Sequence, residues 1–160
     1  MRMYVTAAEL QAKLNSALVA DDRCADCQFT PIVRHISPPK PDGLNWSPAS
    51  LKVRCSGSSA EVCGPHATAI LERFSQDFSL RHDDGWLYDL CFTYKGRQFL
   101  ALHEAVGVST SGPAIPSNAR WVVSVDGGTW KFAFDSSPND NDPQVLKARI
   151  IVWHQTTHGA

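Results

Sequence analysis

Long apolar runs are missing from this sequence. A bilayer crossing needs roughly 20 consecutive apolar residues, and no stretch approaches that length. Near the N-terminus Glu9, Gln11, Lys13 and Asn15 break the apolar pattern, so the segment lacks the continuous core of a secretory leader despite Arg2. These absences predict a cytoplasmic protein in a reducing compartment, without a membrane partner. Charge of one sign is also scarce. Residues 1–81 carry 9 basic and 8 acidic side chains (+1), and residues 82–160 carry 6 and 8 (−2), which sum to the net −1 of the chain. Neither part has the basic excess that binding to a phosphate backbone demands, so nucleic acid is not an expected partner. Internal repeats and coiled-coil heptads are absent as well.

What the chain does have is enough apolar character to fold. Hydrophobic residues make up 43% of its 160 positions and charged residues 19%, an ordinary globular balance. Residues 5–19 predict a helix. Thr6 and Glu9 have the spacing of a capping box, and Leu10, Leu14 and Leu18 repeat on one face. Residues 28–36 predict a strand that Pro31 confines to an edge or a bulge. The segment Ser37 to Gly43 holds three prolines and ends in a turn. The chain then returns through Leu51, Val53 and Cys55, so 28–55 forms a long hairpin. A second helix, opened by Ser58 and Glu61, runs to about Phe78 with Pro65 near its start.

After residue 81 the apolar period changes from helical to two. Tyr88, Leu90, Phe92 and Tyr94 alternate, Lys95-Gly96 turns, and Phe99 to His103 returns. Residues 106–119 are a Gly/Ser/Pro-rich loop. Trp121, Val123 and Val125 alternate into the turn Asp126-Gly127-Gly128, and Trp130, Phe132 and Phe134 alternate back. Asp142 before Pro143 is a natural helix start, while the β-branched run Ile150-Ile151-Val152 favours a strand; helix is the preferred reading. The expected class is α+β. Residues 1–80 form a helix-hairpin-helix module and residues 81–160 an antiparallel sheet with a C-terminal helix, with room for both to share one core.

The segment Gly43-Leu-Asn45-Trp46-Ser47-Pro48, followed by Ala60-Glu61-Val62 and Pro65, resembles short uncharacterised bacterial or phage proteins over residues 5–80. The resemblance implies a bacterial or phage origin and carries no activity with it.

Three groups of residues have chemical potential. Cys24-Ala-Asp-Cys27 and Cys63-Gly-Pro-His66 are a CxxC and a CxxH separated by 35 residues, with Cys55 as an alternative ligand. Two-residue gaps let both side chains of a pair reach one ion, so the set fits a structural zinc. In a reducing compartment the five cysteines are otherwise core thiols, and pairing of Cys24 or Cys27 with Cys55 or Cys63 is the oxidised alternative. Cys91 and His103 lie on neighbouring strands and suggest a Cys/His pair. The acidic run from Asp135 to Asp142 offers oxygen ligands for calcium but lacks the glycine and distal glutamate of an EF-hand. Gly107 to Gly112 is glycine-bordered but lacks the P-loop lysine.

Five tryptophans are numerous for this length. Trp121 and Trp130 fit cross-strand positions, and Trp46, in a loop, is the candidate contact residue for a partner. Function follows by weighing these features. The sequence favours a small non-catalytic binding protein acting on another protein, of inhibitor, immunity or adaptor type. A small hydrolase using a metal or a Cys/His pair is the alternative, and an oligomeric structural protein, a homodimer through sheet edges, is the third.

Overall fold

The computed structural model describes residues 2–57, 60–83, 85–105 and 119–158. The chain divides into two compact units. The first comprises Met1–Lys40 with Leu44–Leu80, and the second Pro41–Gly43 with Arg81–Ala160. Both hold helices and strands, and the class is α+β.

In the first unit a short strand, β1 (Met3–Thr6), leads directly into α1 (Ala7–Val19). Thr6 caps the helix, its hydroxyl accepting from the Glu9 backbone N–H at 3.1 Å. Leu10, Leu14 and Leu18 are wholly buried. Gln11 and Asn15 have a task beyond solvation. Asn15 accepts from Phe29 N–H at 2.9 Å, and Gln11 donates to Phe29 C=O at 3.0 Å and accepts from Val33 N–H at 2.8 Å. The helix therefore satisfies backbone groups along β2 (Cys27–Thr30) that a lone hairpin leaves open.

β2 pairs antiparallel with β3 (Lys52–Cys55), Cys27 opposite Cys55 and Thr30 opposite Lys52. The strand stops at Thr30, before Pro31, which has no N–H to give to the ladder, so it is half the length the sequence suggests. The predicted start of α2 at Ser58 lies outside the described residues. From Ala60 to Asp77 the helix continues through Pro65 and buries Cys63, Ala67, Ile70 and Phe74. β4 (Phe78–Arg81) follows without a break and pairs with β1.

Unit two is a four-stranded antiparallel meander in chain order: β5 (Asp89–Tyr94), β6 (Arg97–Ala105), β7 (Ala119–Val125) and β8 (Lys131–Asp135). Its two tight turns need left-handed backbone. Lys95 and Gly96 have φ of 49° and 76°, Asp126 and Gly127 of 51° and 73°, the pairing that matches strand twist. One face of the sheet buries Leu90, Phe92, Phe99, Ala101, Trp121 and Val123.

Residues 143–158 are helical and form α3, with Leu146 and Ile150 buried. Asp142 opens it, its carboxylate accepting from Gln144 N–H at 2.9 Å. The acidic run that precedes it is consumed internally. Asp140, wholly buried, takes Arg149 at 2.5 Å on both oxygens and accepts from Ser137 N–H at 2.9 Å. These contacts account for its burial. Arg149 in turn lies 4.0 Å over the Phe134 ring.

Candidate functional site

The cysteines come first, because their spacing carried the metal expectation. The 3₁₀ turn Asp22–Cys24 and the adjoining β2 set Cys24 and Cys27 beside β3 and the first turns of α2. Cys24 is bonded to Cys63 and Cys27 to Cys55, with Cα separations of 5.2 and 4.0 Å. Cys91 is the remaining cysteine, half-buried, with its thiol donating to Pro41 C=O at 3.2 Å. The sulfurs of Cys27, Cys55 and Cys63 all lie within 4.8 Å of one another, so a metal-sized cluster exists. Its sulfurs are at disulfide distance, however, and a disulfide presents no thiolate for a metal.

Cys24 and His66 are not in that group among the described residues. His66 Nδ1 faces the Asp21 carboxylate at 3.9 Å, and its Nε2 is buried without a hydrogen-bond partner among the described residues. The side-chain hydrogen bond from Arg23, at 2.7 Å, holds the Asp21 carboxyl far below the usual carboxylate range. The expected set of Cys24, Cys27, Cys63 and His66 is thus divided, and the alternative ligand Cys55 stands where His66 was expected. A reducing compartment leaves thiols or metal ligands; four of the five cysteines are instead crosslinked.

Trp46 requires a correction. It is wholly buried, and its indole N–H donates to Phe78 C=O at 3.0 Å. No partner can reach it. Its neighbour Asn45 is equally buried, and its side-chain amide donates to Leu80 C=O at 2.9 Å and accepts from Leu80 N–H at 2.7 Å. Together the two clasp β4, so this loop segment does a structural job.

The Cys91/His103 pair also fails. Cys91 is opposite Leu100 and His103 is opposite Trp121. Leu100 and His103 are three residues apart on β6, so Cys91 and His103 point to opposite faces of the sheet. His103 has a different partner: its Nε2 lies 2.6 Å from Ser136 Oγ, with the ring packed at 4.7 Å from Trp121. The Trp121 indole N–H is buried and has no acceptor among the described residues. The glycine-bordered segment Gly107 to Gly112 lies outside the described residues.

No protein-family model, characterised protein or solved structure matches this chain. Assignment rests on the chain's own surfaces.

The sequence raised sheet edges as a contact surface without saying which side chains line them. β8 is one of the two outer strands of the meander, and among the described residues it has no neighbour on its far side. Trp130, just before it, is 42% exposed and Phe132 is 52% exposed. A register shift between Trp121 and Val122 sets Phe134 opposite Trp121 and Phe132 opposite Val122. This bulge sends Phe132 and Phe134 to opposite faces. Phe134 lines an open groove of 460 Å³ with Ala148, Val152 and Trp153 of α3, and Val152 is 60% exposed. Trp130 therefore does not pair with Trp121. The antiparallel register gives Trp121 to Phe134 and leaves Trp130 next to the turn. Among the described residues no helix is long and apolar enough to cross a membrane.

Proposed function

We propose that this protein is a non-catalytic binding protein that docks another protein along β8. The observation behind this reading is the coincidence of an outer strand with exposed aromatics. Exposed outer strands are normally blunted by charge or proline. Here Trp130 and Phe132 flank a single lysine, Lys131. A partner strand added to β8 gains backbone hydrogen bonds, and its alternating side chains find two apolar receivers. One is Phe132, and the other is the groove beside Phe134, Val152 and Trp153. Inhibitors, immunity proteins and adaptors act by this kind of occupancy.

The double variant Trp130→Ser, Phe132→Lys is expected to lose the partner. Removing two aromatic anchors of about 2 kcal/mol each predicts a fall in affinity of about a thousandfold. The thermal midpoint should hold, since both side chains are exposed. A partner that is a second copy of this chain would show as a dimer mass that these substitutions convert to monomer. Unchanged affinity in the double variant defeats the reading.

An oxidising compartment belongs to the same reading, supported by the two crosslinks. On reduction, Cys27, Cys55 and Cys63 make a three-thiolate donor set for zinc. Zinc is then a ligand of the reduced form only.

One contact favours a second reading, hydrolysis. His103 at 2.6 Å from Ser136 Oγ is a base within reach of a hydroxyl, beside the unused Trp121 indole N–H. A fluorophosphonate probe then labels Ser136 in the native protein and not in His103→Ala. Absence of label in the native protein removes this reading.

A further inference from the structure

Fixed cations of the second unit gather at one end of its sheet. Arg97 is the first residue of β6 and Lys131 the first of β8. His154 and His158, four apart on α3, stack with ring centroids 4.7 Å apart. Two pockets of 290 and 230 Å³ share Arg97, His154 and His158 in their walls. Lys95 and Tyr94 complete the first, and Lys131 and Trp153 the second.

Two imidazoles at i and i+4 on a helix form either a metal chelate or part of an anion cradle. The surrounding charge decides between them. Arg97, Lys95 and Lys131 are three cations, and Asp126, 4.0 Å from Arg97, is one carboxylate, which leaves +2 with both imidazoles neutral. A divalent metal is repelled there. The His158 lone pair is also engaged: Lys131 Nζ lies 3.3 Å from Nε2, while Nδ1 lies 3.3 Å from His154 C=O. Lysine only donates, so Nε2 accepts and Nδ1 carries the proton.

We propose that this end of the sheet binds a phosphomonoester dianion. Arg97 and Lys131 supply fixed charge, His154 supplies charge that varies with pH, and the Tyr94 and Trp153 rings receive an aromatic group attached to the phosphate. A charge of +2 matches the −1.5 to −2 of a phosphomonoester near neutrality.

The sign of the pH dependence follows from the groups around His154. Burial, then His158, Arg97 and Lys131, hold its pKa below the ordinary imidazole value, with Asp126 opposing. A bound dianion cancels the repulsion among these cations and raises that pKa. Binding thus takes up a proton, and affinity rises as pH falls through the imidazole range, until the phosphate itself protonates near pH 6.

The test uses the full chain, following the imidazole C–H resonances of His154 and His158 at constant ionic strength. Inorganic phosphate and phenyl phosphate are added at pH 8 and at pH 6.5. Both imidazoles should shift saturably, with phenyl phosphate the tighter ligand. For phenyl phosphate, whose dianion persists at pH 6.5, affinity there should be about tenfold that at pH 8. R97Q and K131Q, at exposed positions, should each weaken binding about tenfold with the thermal midpoint unchanged. Three results overturn the proposal: a shift that chloride reproduces, a saturable shift that survives both substitutions, or saturation by zinc where phosphate gives none.

Discussion

Breaking both disulfides should cost the first unit about 6 kcal/mol. The estimate comes from loop closure. Cys27–Cys55 closes a loop over a separation of 28 residues, and Cys24–Cys63 encloses it over 39. Once the inner bond exists, the outer one closes only the short ring of residues 24–27 and 55–63. Nesting therefore makes either bond alone worth about 2.5–3 kcal/mol, less than the 3.5–4 kcal/mol each has in isolation. Cys27→Ser with Cys55→Ser should lower the thermal midpoint by about 10–20 °C, and reduction of both bonds by more than that. Hydrogen exchange locates the effect: amides of α1, β2, β3 and α2 lose protection, while the β5–β8 ladder keeps it. The unreduced chain should be four hydrogens lighter than the reduced chain, with Cys91 alone reacting as a thiol after unfolding. Five reactive thiols without reductant contradict the crosslinks.

Trp46→Ala should be the most damaging single substitution, at about 3–5 kcal/mol. The indole is wholly buried, and it donates to Phe78 C=O. Truncation leaves a large void and strands that carbonyl in apolar surroundings. Trp46→Phe separates the two terms. It retains most of the volume and should cost about 1–3 kcal/mol, the penalty of one buried unpaired acceptor plus imperfect filling. Equilibrium denaturation of the three proteins measures both. A Trp46→Ala chain as stable as the parent would mean the residue is a surface contact after all.

These outcomes mark where the sequence speaks and where it does not. The capping pattern at Thr6, the leucine repeat of α1, the two left-handed turns and the Asp142 start of α3 are local signals, and each appears in the structure. Every misreading was non-local. Trp46 sits in a proline-flanked loop, and only the return of β4 beneath it reveals its burial. Gln11 and Asn15 look like solvent positions until β2 is laid against them. The cysteine spacing is compatible with a zinc ligand set or with two crosslinks, because a CxxC brings its sulfurs near a common point in either case; pairing is decided by which strand lies opposite, Cys27 against Cys55. Period-two alternation places Trp130, Phe132 and Phe134 along one strand, and the register shift beside Trp121 and Val122, which alternation does not reveal, sends Phe132 and Phe134 to opposite faces. The His103–Ser136 contact spans 33 residues and has no sequence signature.

The β8 edge is the centre of this account, and a photoreactive residue tests it most directly. Benzoylphenylalanine placed at position 132 should yield one dominant crosslinked adduct in the native host. The same residue at Ile32, 65% exposed in the first unit, should yield none in common with it. The adduct should disappear when Trp130→Ser is added. Twice the chain mass would identify the partner as a second copy. Equal, diffuse adduct patterns at positions 132 and 32 would show that β8 is ordinary surface and would remove the binding role assigned to it.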